Sequence, residues 1–360
     1  MPRMPQPPGS GGGQGARVAA SIKPGDAVGS VLGTERDLDA PVTAVLAVGG
    51  GFAFATGAGQ VVLASVKLDD ARIIEAHDGA ILAAAIVDSA CVLTGGDDGR
   101  VVMTTNGTAE TLWTSPQRRW VDHVAAGHDG AIAWASGKTV FVRGGGAGAE
   151  IKDLELPGAA GGLAFAPKSK RLAASHYGGV TVWALDEDTT QVFDWKGSHL
   201  EVLWSPDERY LVTAMQEGAM HGWRTSDGSD FAMRGYPGKP RSMSFSRKGD
   251  WLATSGAFET VIWPFAGKGP MGQAPEQLAR RTHMVTVVGY HPLNPYVATG
   301  YDDGVVLLAR QEDRRELMVR RTGKAPVTGV AWAADGKRLA YGTEDGIAGI
   351  VDFSAVDKKR

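Results

Sequence analysis

The chain has a single cysteine, Cys91, among 360 residues, which excludes an internal disulfide and any zinc site built on several thiolates. It sits in the apolar run SACVLTGG and reads as a small buried hydrophobe rather than a reactive thiol. No run of about eighteen uninterrupted apolar residues occurs, so no membrane insertion is expected. Neither sign of charge is in excess: 37 Lys and Arg against 40 Asp and Glu leave a formal net charge of -3, a balance that advertises no nucleic-acid or anionic-membrane partner. HExxH, CxxC and paired-histidine spacings are missing, and the eight histidines (His77, His123, His128, His176, His199, His221, His283 and His291) are scattered. Local zinc chemistry therefore has no support, and no metal or cofactor is expected. Serine nucleophile elbows are also missing, and the glycine-rich VGGGF and GGGAGAE open no helix that could cradle phosphate.

Glycine is what the chain has in abundance. Fifty glycines and eighteen prolines, with 43% hydrophobic residues, describe many short apolar segments cut by many turns, an all-β make-up. The opening MPRMPQPPGSGGGQGARVAAS lacks the apolar stretch of a signal peptide and reads as a disordered leader over residues 1–26. Residues 357–360 read as a short basic tail, and a reducing, cytoplasmic setting is expected.

Turn-like segments recur at close to 40 residues. They are Gly59, Gly99, Gly137, Gly179, Gly218, the SGAFETVIWPF segment, Gly304 and Gly346, which define eight copies of one unit. The last copy, PVTGVAWAADGKRLAYGTEDGIAGIVDF, shows the grammar best: strand, ADGK turn, strand, TEDG turn, strand. Polar segments such as TQVFDW and RELMVRR leave room for a fourth, outer strand, and four strands per 40 residues is the spacing of a propeller blade.

The pattern W-S-P-D-x-x-x-L, then a small residue, an Asp-Gly turn and a strand ending near V-W, resembles the WD-repeat β-propeller family from about Pro41 to Phe353. One propeller domain over 27–356 follows. Eight blades are favoured, with seven as the alternative if the weak first or third unit is not a true blade. The last unit ends almost at the C-terminus, so AVGSVLGTERDLDA (27–40) is expected to supply its outer strand and close the ring. The segment PFAGKGPMGQAPEQLARRTH is the largest interruption and is read as a lid or short helix; GHDGA at Gly127 falls mid-strand in this register.

The resemblance implies a polar staple in each blade: a turn Asp, a strand hydroxyl, an entrance histidine and a Trp. Asp98, Asp303 and Asp345 match the turn Asp, with Glu217 in the same place. Thr94, Thr213 and Thr299 match the hydroxyl, His77 and His283 the histidine, and Trp223 the Trp. No unit carries all four, so each network is expected to be partial. Independently of any family, the acidic doublets of TGGDDG, TGYDDG and YGTEDG suit hairpin turns, where short acids cap free N–H groups and glycine takes positive φ. In TGYDDG this makes Asp303 a cap and leaves Asp302 and Tyr301 pointing outward.

A propeller offers its loops, so function belongs to the disc faces. Aromatic and arginine residues at turn tips and blade entrances, Trp120, Tyr177, Trp195, Tyr236, Arg241, Phe258 and Tyr301, have the composition of a protein-recognition surface. The basic doublets Arg280–Arg281, Arg314–Arg315 and Arg320–Arg321 are read as a solvated rim. The favoured function is a non-enzymatic scaffold, monomeric within a larger complex, that binds a protein or peptide. The alternative is a propeller enzyme or a ligand or metal binder using the central channel, whose residues would leave little local trace. A third reading is an accessory protein in metal or nucleotide handling.

Overall fold

The repeats resolve into hairpins whose turns follow from their side chains. Between the first and second strands, Asp88, Asp129, Asp207 and Asp335 each accept a hydrogen bond from the backbone N–H two residues on (to Ala90 2.7 Å, Ala131 3.2 Å, Arg209 3.1 Å and Lys337 3.0 Å). This closes the loop locally and frees both flanking runs to pair as strands. The computed structural model describes residues 27–146 and 148–354, and of Ser30 and Val31 the backbone alone. The expected leader and basic tail lie outside the described residues.

The eighth unit shows the full pattern. Val327–Trp332 pairs with Arg338–Thr343, which pairs with Ile347–Asp352, and the outermost strand is Gly33–Asp37 from the other end of the chain. All three ladders are antiparallel. The N-terminal strand therefore closes the ring as expected, and Glu35 locks it: its Oε1 accepts hydrogen bonds from Tyr341 Oη (2.6 Å) and Arg320 Nε (2.9 Å).

The innermost strands stand side by side around the ring. Val42–Val48 touches Ile81–Ile86 on one side and Val327–Trp332 on the other, and the ring continues through His123–Ala126, Ala160–Phe165, Thr189–Trp204, Met243–Phe245 and Val285–Tyr290. In six units a bulge interrupts the start of this strand, at Thr43, Leu82, Gly161, Leu200, Thr286 and Thr328. A bulge adds local twist, which lets consecutive sheets fan out.

Counted by continuous hydrogen-bonded sheets, the propeller has seven blades and not the favoured eight. The difference lies in one place. The fourth and fifth units form a single six-stranded sheet, because Thr189–Trp204 runs without a break from one into the other. Its residues 189–194 pair with 184–179 behind, and 199–204 pair with 215–211 ahead. The eight-fold count of turns in the sequence is blind to this continuity. The first and third units, whose motifs are blurred, are both regular four-stranded sheets.

The apolar core lies between successive units. Val45, Phe52, Phe54 and Val62 of the first unit pack on Ala340, Ala348 and Ile350 of the eighth; Val202, Trp204 and Trp223 of the fifth pack on Val180 and Phe193 of the fourth. Tryptophans at the ends of inner strands tie neighbours further: Trp204 Nε1 donates to Ala164 O and Trp332 Nε1 to Gly289 O, both at 3.1 Å. Two expectations are corrected. Gly127–Gly130 is a turn, with Gly130 at φ +79°. The segment 264–283 forms neither helix nor a separate lid; it is an irregular connection carrying the short outer strand Glu276–Leu278.

A Cβ on Gly349 would lie 2.1 Å from Cζ of the fully buried Tyr341 ring, which carries the closing hydrogen bond to Glu35. Gly349→Ala is therefore expected to destabilise the chain by about 1–3 kcal/mol through overpacking, read as a lowered urea midpoint. An unchanged midpoint would show that closure does not depend on this ring.

Candidate functional site

Because the four strands of each unit alternate in direction, the turn between its second and third strands and the loop entering the next unit emerge on the same face. Hydrogen bonds knit them together: Arg281 N to Phe258 O (2.9 Å), Asp302 N to Met284 O (2.9 Å) and Gly323 N to Asp303 O (2.8 Å). The backbone of this face is consequently well held.

The polar staples sit just beneath it. In the second unit His77 Nδ1 lies 3.0 Å from Asp98 and Nε2 lies 2.9 Å from Thr94 Oγ1, while Thr94 donates to Val102 O. Asp98 also accepts from the Arg100 N–H and guanidinium and from Asp78 N. Burial opposes its charge, yet bonds from His77 and Arg100 outweigh it and hold the carboxyl down at about 2. Burial lowers His77 in turn. In the fifth unit Thr213 bonds His199 Nδ1 at 2.7 Å, with the buried Trp223 ring 5.8 Å from His199, and Glu217 accepts from Ser198 N at 3.1 Å. His199, inside the strand Thr189–Trp204 where it enters the fifth unit, fills the entrance-histidine place there. In the eighth unit Thr343 donates to Asp345 at 2.6 Å. The seventh unit departs: His283 reaches Asp302 (2.8 Å), and Thr299 bonds Thr260 of the preceding unit (2.7 Å).

TGYDDG is divided differently from its expected arrangement. Asp303 caps Val305 N at 3.2 Å and pairs with Arg281 at 3.1 Å, and Asp302 faces His283 on the surface. Tyr301 does not point outward. It is fully buried, its hydroxyl donating to Ala279 O and its ring under Arg281 at 5.3 Å. The residue at this strand end alternates inward, into the interface with the sixth unit. His283, Asp302 and Asp303 present donor atoms within 4.8 Å of one another and could hold a cation, but the Arg281 guanidinium already neutralises the buried carboxylate.

Of the aromatics expected at the surface, Trp120 (62% exposed), Tyr177 (63%) and Phe258 (39%) stand out on this face, and Arg241 is exposed beside them. Trp195 and Tyr236 are half-buried and occupied. Trp195 stacks on His221 at 3.9 Å; the Tyr236 hydroxyl lies 2.7 Å from Thr254 Oγ1 and accepts from Trp263 Nε1, and burial pushes its pKa up to about 12.

The central channel opens on the same face beside a cavity of about 650 Å³, whose walls include Lys239, Arg241, Met284, Thr286, Pro326 and Glu344. Hydroxyls at the bulges stitch its rim: Thr286 donates to Val327 O (2.7 Å) and Thr328 to Val42 O (2.6 Å). On an inner strand further round the ring stands Glu201. Water reaches it, yet protein surrounds it so closely that desolvation alone raises its carboxyl to about 7. On the opposite face a larger hollow, about 840 Å³, lies between the sixth and seventh units, with Arg247, Trp251, Glu276 and Leu293 in its wall.

Two pH responses follow. His221 is fully buried; Asp230 Oδ2 lies 3.3 Å from Nε2, but neither ring nitrogen makes a hydrogen bond. Burial lowers its pKa from 6.5 to about 4. A depressed histidine leaves the folded state neutral while the unfolded chain takes up a proton, so stability falls as pH drops from 6.5 to about 4. Denaturant midpoints across that window should decline, and less steeply in His221→Leu. Glu201 behaves oppositely to a paired carboxylate. Its folded pKa is raised from 4.5, so stability is full below 4.5 and is lost as pH rises to about 7. Glu201→Gln should raise the midpoint above neutral pH and leave it unchanged in acid; a lowered midpoint above neutrality would mean that the ionised carboxylate is held by the channel.

No family model matches the chain, and no curated protein matches it. Among solved structures, the chain is similar to the crystal structure of the computationally designed Ika8 protein, at TM-score 0.72 and 15% identity over 89% of this chain and 98% of that one. At that identity the likeness speaks for the propeller fold alone.

Proposed function

We propose that this chain is a WD-repeat-type propeller that works as a rigid, non-enzymatic platform, binding a protein or peptide partner on the face that carries the second-to-third-strand turns. The observation behind this reading is the exposure of Trp120, Tyr177 and Phe258 on that one face. Large aromatics are costly to leave in water and are the commonest anchors of protein interfaces. The staples beneath, His77–Asp98–Thr94 above all, stiffen the loops and so lower the entropy lost on docking. In this reading the chain is monomeric within a larger complex and cytoplasmic, and takes no nucleic acid.

A second reading has one observation in its favour. Lys239 and Arg241 face the same cavity at the channel mouth as Glu344, an arrangement that suits a small dipolar ligand. Dialysed protein from the native cell, tested by mass spectrometry for a stoichiometric bound molecule or ion, separates the two: such a molecule would replace the pure-platform reading.

The platform is tested by capture of partners from the native cell with the wild-type chain and with Trp120→Ala/Tyr177→Ala/Phe258→Ala. All three side chains are exposed, so the variant keeps its fold, checked by circular dichroism. Loss of a hot-spot cluster should reduce recovery of partners by roughly tenfold or more. Equal recovery would overturn the assignment of this face.

A further inference from the structure

We propose that the segment docked on this face is acidic and carries apolar anchor side chains, and that it lies along the arc from the entry of the third unit to the entry of the seventh. The inference deepens the platform reading and rests on it.

The charged groups of this chain are sorted by place. At the sides and on the opposite face, arginines are matched to carboxylates: Arg171 with Glu208 (2.7 Å) and Arg224 with Asp227 (2.6 Å). On the loop face Arg100 and Arg281 are matched as well, to Asp98 and Asp303, but a second set of cations is not. Arg118 and Arg119 precede Trp120, Lys196 follows Trp195, and Lys239 and Arg241 lead into the sixth unit; all are exposed. Among the described residues, none of these five has an ion-pair partner. Arg280 beside Phe258 has only Glu259, at 3.8 Å. Unpaired cations retain their full attraction for an incoming anion, whereas a paired arginine has already spent most of it.

Anchors and cations follow one another along this arc: Trp120 after Arg119, Tyr177 on the fourth unit, Lys196, then Lys239 and Arg241, then Phe258 with Arg280; carboxylates such as Asp122 and Glu217 lie among them but are fewer. Arginine and aromatic residues in such proximity, with lysine at the margin, have the make-up of a recognition surface with an apolar centre and a charged rim. The remainder of the face is mixed, with Arg321 and Lys324 exposed at the entry of the eighth unit, but exposed carboxylates outnumber exposed cations there. Asp302, Glu344, Asp345, Asp39 and Asp78 lie on the seventh, eighth, first and second units, Asp78 being paired with Arg100 at 3.0 Å and Asp302 facing His283. An acidic segment is therefore drawn more strongly to the arc than to the rest of the face, which sets its path as well as its affinity.

The same division favours a polypeptide over nucleic acid. A long polyanion crossing the disc would leave the basic arc and meet the carboxylates, whereas a short acidic segment with apolar side chains uses both the cations and the exposed rings.

The test is fluorescence polarisation with short labelled peptides, rich in Glu and Asp with Leu or Phe placed at successive positions, against a set in which Lys replaces every acid and against a labelled single-stranded oligonucleotide. The acidic, anchored set should bind, the lysine set should not, and added salt should weaken binding. Arg118→Glu/Arg119→Glu and Lys239→Glu/Arg241→Glu, all exposed positions, should each weaken it roughly tenfold or more; Arg118→Gln/Arg119→Gln serves as a milder check that the fold is unchanged. Equal binding of both peptide sets, no binding of the acidic set, full affinity in both charge-reversed variants, or tighter binding of the oligonucleotide would each overturn the proposal. The platform reading fails separately. If the aromatic triple variant loses its partners while the charge-reversed chains capture them normally, the face stands and the acidic chemistry falls.

Discussion

Each unit of this chain has two apolar faces and can cover neither alone, so the molecule depends on packing between neighbours and on the last neighbour meeting the first. The interface that closes the circle joins Phe52 and Phe54 of the first unit to Ala340 and Ile350 of the eighth. The strand Gly33–Asp37 completes the eighth sheet from the far end of the chain, and Glu35 holds both Tyr341 and Arg320. An open ring would leave those faces and an unpaired strand edge in water, the usual route to aggregation. Closure makes the stability of every unit partly a property of all the others.

The loop face inherits its rigidity from this ring. Its turns are tied to the loops of the next unit by backbone hydrogen bonds, and where a staple is complete enough, as at His77, Thr94 and Asp98, a buried imidazole lies between a hydroxyl and a carboxylate. Side chains that these bonds do not use, Trp120, Tyr177 and the unpaired cations, are left facing outward from a fixed base. That separation between a satisfied lower layer and an unsatisfied upper one is what makes the face suited to recognition.

Much of the architecture was legible because turns are local. Asp-Gly and Asp-x-x segments at about 40-residue spacing identify hairpins whatever lies around them, and the need for a last outer strand pointed to residues 27–40. Local grammar misjudged what depends on neighbours. Tyr301 sits in a turn motif and reads as exposed, yet its ring fills the interface with the sixth unit. His199 meets its hydroxyl Thr213 from within a strand that spans two units, and Glu208, just after the W-S-P-D motif, accepts from Ser169 N and Ser169 Oγ of the preceding unit, a contact no local pattern encodes.

By itself the sequence determined the all-β class, the unit and its strands, the turn chemistry and the closing role of the N-terminal strand, since each rests on residues close together or on the sum of strands available. Tertiary structure decided three further matters. The continuity of Thr189–Trp204 merged two units into one sheet, giving seven blades by sheet; inter-unit packing chose which aromatics are buried and which remain free; and the curvature of the ring brought scattered lysines and arginines onto one arc. These are consequences of through-space proximity between residues tens of positions apart, which periodicity along the chain does not encode.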